Sequence, residues 1–119
     1  MDGPLEERGV TLLLVAAGGA LGSLLRYVAA SALDARWPRG TLAVNLAGSA
    51  LLGLLVGRDT GDAAYALLGV GFCGGLTTWS AFAVQAHDLG PRSGATYAAV
   101  TLGSALAACA LGFWVGAQA

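Results

Sequence analysis

Four apolar segments, each long enough to cross a lipid bilayer, constrain this chain more than any other feature. They run from Val10 to Leu33, Thr41 to Gly57, Tyr65 to Ala86 and Ala95 to Ala117, with short charged connectors between them. Each holds about 17–25 residues, and a helix of that length spans a hydrocarbon core of about 30 Å. Because 56% of the residues are hydrophobic and only 11% are charged, we predict an all-α membrane protein with one four-helix transmembrane domain over residues 1–119.

The first segment has an alternative interpretation as a cleaved secretory signal, since Ala30-Ser31-Ala32 resembles a cleavage site. However, the nine-residue leader contains more acidic than basic residues, and Arg26 lies late in the apolar run. Both features are unlike a signal peptide, so we expect the first helix to remain in the protein.

The arginines predict how the chain inserts. If the helices alternate in direction, Arg8 and Arg58 lie on one side of the membrane, and Arg36, Arg39 and Arg92 lie on the other. This imbalance is weak by the positive-inside rule, so we predict insertion in both orientations. A net charge of −1 without a basic patch argues against a nucleic-acid partner.

The sequence contains one motif known from enzymes, but the surrounding residues lack the features that its function requires. Residues 69 to 74 read Gly-Val-Gly-Phe-Cys-Gly, but the dinucleotide fingerprint needs a preceding strand and a later acidic residue. The sequence offers no nucleophile, histidine and acid set and no cluster of metal ligands. Cys73 and Cys109 both fall in apolar segments, where small packing residues are the default interpretation. We therefore predict that the protein is not an enzyme.

Small and polar residues recur on one face of each helix. Glycine pairs four residues apart, at 18 and 22, 53 and 57, 71 and 75, and 112 and 116, predict close contacts between helix backbones. Arg26 continues the first stripe, and either extends to the membrane interface or lines an aqueous vestibule. Asn45 has to face protein or water, as a hydrogen-bonding bridge between helices or as a ligand-binding group.

The third segment contains the residues least expected in lipid, in the stretch GFCGGLTTWSAF. Gly74-Gly75 weakens a helix, and Thr77, Thr78 and Ser80 offer the backbone alternative hydrogen bonds. We predict a break at residues 74–78 that divides the segment into two half-helices. Irregular backbone at that depth is stable only inside protein or beside a wet cavity, where its carbonyls and hydroxyls can bind ions.

Two further groups of residues could line such a cavity. Trp79 and Phe82 share a helical face, and the edges of their rings can contact a small anion. Tyr97 and Thr101 form a polar track on the fourth helix. Four helices alone would pack solid, without a pore. We therefore predict that a second copy pairs antiparallel with the first in a dual-topology dimer.

Three motifs resemble the Fluc (CrcB) fluoride ion channels: GGALGSLLRY at 18 to 27, GTLAVNLAGSALLG at 40 to 53, and GFCGGLTTWSAF at 71 to 82. The resemblance covers all four predicted helices. It implies a dual-topology dimer in the plasma (inner) membrane that exports fluoride passively through two pores. It also implies a structural sodium ion at the dimer centre, held by carbonyls of the broken third helices.

The resemblance also assigns residues. It implies that Gly74 and Thr77 supply sodium-binding carbonyls and that Arg26 guards the vestibule. The implied fluoride pathway comprises Asn45, Trp79, Phe82, Thr78, Ser80, Tyr97 and Thr101. The family usually has T-T-F-S-T-F here, so Trp79 and Ala81 depart from the pattern. Some members pair with a diverged paralogue, so the resemblance leaves homodimer and heterodimer open.

Two other functions remain as alternatives. A small multidrug transporter has the same size and topology, but it needs a carboxylate within the first helix to exchange protons for cations. The segment from Val10 to Leu33 has none. A membrane assembly protein without transport activity would tolerate Asn45→Leu and Thr77→Val, whereas a channel would lose fluoride resistance.

Overall fold

The computed structural model describes residues 4–119, and helices account for most of them. The third apolar segment contains two helical stretches, one covering residues 62–76 and one covering Ser80–Asp88. We name the helices α1 (Leu5–Leu33), α2 (Arg39–Gly57), α3 (62–76), α4 (Ser80–Asp88) and α5 (Pro91–Gln118).

The helices extend beyond the apolar runs that predict them. Helix α1 begins at Leu5, so residues 5–9 belong to the helix although their charge suggests a tail. Glu6 and Glu7 lie in its first turn, where negative charge is favourable beside the unpaired N–H groups. Helix α5 begins at Pro91 after Gly90, whose φ of 86° is one that glycine adopts without strain.

Helix α3 is irregular along most of its length. An α-helical turn at Asp62–Ala64 leads into a π-helical stretch, Tyr65–Cys73, and α-helical geometry returns at Gly74–Leu76. The Tyr65 ring lies against Gly69, where an added Cβ would come within 2.9 Å of the ring atoms. This glycine therefore provides the space that the ring occupies.

The glycine pairs mark two tight helix contacts. Helix α1 crosses α3 so closely that a Cβ at Gly71 would lie 2.7 Å from the Val15 carbonyl oxygen. Helix α2 crosses α5 in the same manner, and a Cβ at Gly57 would lie 3.1 Å from the Ala117 nitrogen. The predicted role of the glycine stripes in backbone packing is confirmed at both crossings.

Four stretches of the described chain are long and apolar enough to cross a membrane: Leu5–Leu33, Arg39–Gly57, Asp62–Asp88 and Pro91–Gln118. Large apolar side chains cover the outer surface, as at Leu13, Leu106 and Trp114, which are 71%, 72% and 61% exposed. A surface of this kind is stable in lipid, whereas a soluble protein buries such residues.

Candidate functional site

The backbone is irregular between α3 and α4. Residues 77–79 are not helical, and Thr77 is extended, with φ −78° and ψ 154°. Gly74 and Gly75 lie within the last turn of α3, so the irregular stretch begins later than the glycines alone would suggest.

Thr77 and Thr78 act on opposite sides of this stretch. The Thr77 hydroxyl donates to the Cys73 carbonyl at 2.8 Å, and so does the Thr77 N–H at 3.0 Å. The Thr78 hydroxyl accepts from the Ala81 N–H at 3.2 Å. Thr77 thus completes the end of α3, and Thr78 provides a partner for a free N–H at the start of α4.

Asn45 completes the hydrogen bonding of the irregular stretch from the neighbouring helix. Its Oδ1 accepts from the Thr78 N–H at 2.8 Å, and its Nδ2 donates to the Thr78 carbonyl at 3.1 Å. The side chain is 8% exposed, so these bonds form away from bulk solvent. An amide has a second N–H on Nδ2. That N–H has no protein acceptor among residues 4–119.

Arg26 lies at the end of α3. Its Nε donates to the Gly75 carbonyl at 3.1 Å, which brings a cation to the negative end of the α3 dipole. Gly22 and Gly18, one and two turns earlier on α1, contact the α3 backbone and allow this approach. The bond joins Arg26 to a neighbouring helix, so extension of this side chain to the membrane interface is not required to satisfy it.

A pocket of about 430 Å³ lies beside the irregular stretch. It contains neither acidic nor basic side chains among the residues that the structure describes. Its rim includes Trp79 and Val70, which are 68% and 51% exposed, so the pocket opens on the outer face of the protomer. The lining residues are Asn45, Gly48, Ser49, Leu52, Tyr65, Gly69, Val70, Cys73, Gly74, Thr77, Thr78, Trp79, Phe82, Thr101, Leu102 and Ala105.

Aromatic rings form a continuous row at one end of this pocket. The Trp79 and Phe82 ring centroids are 5.2 Å apart, and those of Phe82 and Tyr97 are 5.4 Å apart. Trp37 contacts the far side of Tyr97 edge-on at 6.3 Å. The rings are tilted or perpendicular, the arrangement that brings a positive ring edge toward a negative face.

Thr101 lines the pocket, and its hydroxyl is buried without a hydrogen-bond partner in residues 4–119. The residue is 3% exposed, and its Oγ1 has no hydrogen-bond partner within residues 4–119. Ser104, on the same helix, differs because its hydroxyl donates to the Val100 carbonyl. A buried hydroxyl without a partner costs about 1–3 kcal/mol. Thr101 is therefore a strong candidate to bind something that enters the pocket.

The pocket brings together most, but not all, of the sequence-predicted site residues. Arg26 lies at the end of α3, and Ser80 is exposed at the start of α4. Tyr97 lies behind Phe82 rather than on the pocket wall. The predicted residues that do line the pocket are Asn45, Gly74, Thr77, Thr78, Trp79, Phe82 and Thr101.

A second polar cluster escaped the sequence interpretation. Asp34 accepts hydrogen bonds from Gly40, Thr41 and Gln85, and Gln85 accepts one from Tyr97. Two signals could have indicated it: an acid shortly before a helix start is typical of a cap, and a glutamine within an apolar segment needs a partner. Neither signal identifies that partner, since Asp34 and Gln85 are 51 positions apart.

Comparisons with known proteins find related sequences over most of the chain. Residues 13–117 match the family model described as CrcB-like protein, Camphor Resistance (CrcB). The chain is 44% identical over 110 residues to fluoride-specific ion channel FluC 2 of Rhodococcus jostii, covering 87% of this chain and 96% of that one. It is 36% identical over 118 residues to FluC of Rhodospirillum rubrum, covering 90% and 92%. It is also 48% identical over 100 residues to FluC 2 of Haloarcula marismortui, covering 82% of each chain.

Proposed function

This chain belongs to the CrcB family, and from that membership we propose that it is a fluoride-selective channel. It is a multi-pass membrane protein without enzymatic activity, and fluoride passes through it down the electrochemical gradient. In the cell inner membrane this activity exports fluoride from the cytoplasm and confers fluoride resistance. The names of the relatives support fluoride as the ion.

The pocket's unpaired donors are the observation that carries the proposal. Asn45 has an Nδ2–H free of protein acceptors within residues 4–119, and the Thr101 hydroxyl is buried and unpartnered. Fluoride keeps its hydration shell tightly, so a pore has to replace the water with donors. Neutral donors do this without the strong binding of a full positive charge, which would slow release.

The aromatic residues complete the proposed path. Trp79 and Phe82 line the same pocket as Asn45, and their ring edges carry partial positive charge. The Thr78 and Ser80 hydroxyls lie at the start of α4, and Tyr97 lies behind Phe82. Arg26, which contacts the end of α3, attracts anions to the vestibule before they reach the pocket.

A second copy completes the proposed channel. The pocket rim is open, and Trp79 on that rim is 68% exposed. An antiparallel partner, related by an axis in the membrane plane, covers this face and encloses two equivalent paths. The broken third helices then meet at the centre. The partner is an identical copy or a diverged paralogue.

Sodium is proposed as a structural ion at that centre, because backbone carbonyl oxygens at the end of α3 could bind it. The Thr78 N–H, the usual helical partner of the Gly74 carbonyl, bonds to Asn45 instead. The Gly74 and Thr77 carbonyls lie near the negative end of α3, where oxygen ligands attract a cation. Side-chain ligands do not compete for this role, because residues 4–119 hold no cluster of three His, Cys, Asp or Glu.

The alternative functions fit the pocket less well. A proton-coupled exchanger of cationic drugs needs a carboxylate at its binding site, and the described pocket lining contains neither Asp nor Glu. An assembly protein without transport activity gives no reason for an unpartnered Thr101 hydroxyl beside a free amide N–H.

Fluoride efflux from liposomes tests the proposal directly. Purified protein is reconstituted in vesicles loaded with potassium fluoride, and a fluoride electrode records release after valinomycin is added. Rapid fluoride release with little chloride release is the expected result. Vesicles that remain tight to fluoride, also after co-reconstitution with any paralogue from the same genome, would contradict it. Replacing sodium with N-methylglucamine throughout purification is expected to reduce dimer yield if the ion is structural.

A further inference from the structure

Asp34 organises a polar network at the N-terminal end of α2. Its Oδ1 accepts from the Gly40 N–H at 2.7 Å and from the Thr41 N–H at 3.1 Å. Its Oδ2 accepts from the Thr41 hydroxyl at 3.1 Å and from Gln85 Nε2 at 3.2 Å. One carboxylate therefore caps α2 and also holds the side chain of a residue on α4.

The network has a fixed direction. A carboxylate only accepts hydrogen bonds, so the amide nitrogen of Gln85 has to face Asp34. The amide oxygen of Gln85 then faces Tyr97, and the Tyr97 hydroxyl donates to it at 3.3 Å. Asp34 thus orients the amide oxygen to which Tyr97 donates, although the two residues lie on different elements.

Tyr97 connects this network to the pocket. Its side chain is 2% exposed and lies between Trp37 and Phe82, at centroid distances of 6.3 Å and 5.4 Å. Phe82 lines the pocket on its other side. Because this region is close-packed, a change in the hydrogen bonding of Tyr97 that moves its ring also moves the neighbouring Phe82 ring.

We propose that Asp34 is a positioning residue for the fluoride path, acting through Gln85 and Tyr97 on the position of Phe82. This inference rests on the proposed function. Asp34 itself lies outside the pocket lining, so its effect on fluoride passage is indirect. The network, and not the negative charge of Asp34, is what the path requires.

Asp34→Asn separates the capping of α2 from the orientation of the Gln85 amide. The Gly40 and Thr41 N–H groups need an oxygen, so the oxygen of the new amide remains at the cap and its nitrogen faces Gln85. The Gln85 amide then has to turn, and its nitrogen donates toward Tyr97. The Tyr97 hydroxyl loses Gln85 as its acceptor while the α2 cap is kept. We expect fluoride efflux to fall about fivefold or more, with dimer yield close to wild type.

Gln85→Glu provides a rescue. Alone it places a second carboxylate beside Asp34, and repulsion is expected to lower efflux by a similar factor. Combined with Asp34→Asn, it restores an acceptor for the Tyr97 hydroxyl, because the new carboxylate at position 85 accepts both from the new amide at position 34 and from Tyr97. We expect the double variant to return to within about twofold of wild-type efflux, a strong coupling between the two sites.

Asp88→Asn is the matched control for loss of charge. Asp88 is an exposed acid at the end of α4, and its replacement is expected to leave efflux unchanged. Tyr97→Phe tests the network from its other end without touching the cap. It is expected to reduce efflux as much as Asp34→Asn, and the variant carrying both changes is expected to show no further loss.

Liposome efflux and dimer yield are measured together for every variant. Wild-type efflux in Asp34→Asn would overturn the role of Asp34, as would failure of the double variant to recover. If Asp34→Asn yields no folded protein, wild-type efflux in Tyr97→Phe overturns it instead. A wild-type protein that releases no fluoride contradicts the proposed function itself, so the two failures are distinguishable.

Discussion

Single side chains provide hydrogen-bond partners for backbone groups where the third membrane segment is irregular. The Asn45 amide pairs with both backbone groups of Thr78, in place of the partners that a regular helix would give. One residue therefore stabilises non-helical backbone and retains one N–H for a ligand. This dual role follows from amide chemistry, because an amide offers two donors and one acceptor oxygen.

Thr101→Val is expected to change stability and activity in opposite directions. The substitution keeps the side-chain shape and removes a buried hydroxyl that has no partner within residues 4–119. The free energy of unfolding should stay the same or rise by about 1 kcal/mol, while fluoride efflux falls. Thermal unfolding in detergent and liposome efflux measure the two effects. Ser104→Ala, which removes a hydroxyl bonded within its own helix, is the control with little effect on efflux.

Asn45→Leu is expected to abolish fluoride efflux and to destabilise the protein by about 2–4 kcal/mol, since both Thr78 backbone groups lose their partner. Efflux and thermal unfolding report the two losses. Ala47→Leu adds the same side chain at an exposed position of α2 and should be neutral. An Asn45→Leu protein that conducts like wild type would contradict the site.

At the scale of elements, two glycine-mediated crossings hold the helices together, and two threonines separate α3 from α4. The sequence predicted the glycine contacts, because spacing by four places residues on one helical face. It placed the irregular backbone at 74–78, whereas the non-helical residues are 77–79. The hydroxyl bonds of Thr77 and Thr78 lie on the two sides of that stretch.

Gly53→Ala is expected to destabilise the α2 and α5 crossing by about 1–3 kcal/mol, because the new methyl group would meet Cys109 and Phe113 backbone atoms. Gly103→Ala is the matched control on α5, since no atom lies within 4 Å of the added Cβ. It should be neutral or stabilising by up to about 1 kcal/mol through helix propensity. Thermal unfolding in detergent measures both. Equal destabilisation by the two changes would rule out close backbone packing at Gly53.

At the scale of the whole molecule, one protomer leaves the pocket lined by Asn45, Thr77 and Thr78 open toward its surface. The rim carries Trp79 and Val70, both more than half exposed. Helices that cross a membrane cannot leave polar groups facing lipid without a cost of several kcal/mol. This is the physical reason for proposing a second copy, and the even distribution of arginines is the reason for proposing that it is inverted.

Orientation can be tested by biasing the charge. Adding arginines beside Arg36 and removing Arg8 and Arg58 should fix one orientation, and the opposite changes should fix the other. Each biased variant alone is expected to lose fluoride resistance in cells, and co-expression of the two should restore it. Fusion of reporters to the C-terminus checks the orientation. Full resistance from a single biased variant would contradict an antiparallel dimer.

The sequence by itself determined the four apolar helices, the glycine faces and the family. These features depend on local composition and on spacing along one helix, so each can be recognised within one segment. Its resemblance to the family also predicted Asn45, Thr78, Trp79, Phe82 and Thr101 as site residues, and these five line one pocket.

Only the tertiary structure decided which polar group bonds to which. Asn45 meets Thr78 across 33 positions, Arg26 meets Gly75 across 49, and Asp34 meets Gln85 across 51. In a membrane each polar group needs a partner, but its position along the chain does not name that partner. Helix packing brings the two polar groups together. The same packing places Tyr97 behind Phe82 and leaves the Thr101 hydroxyl without a partner within residues 4–119.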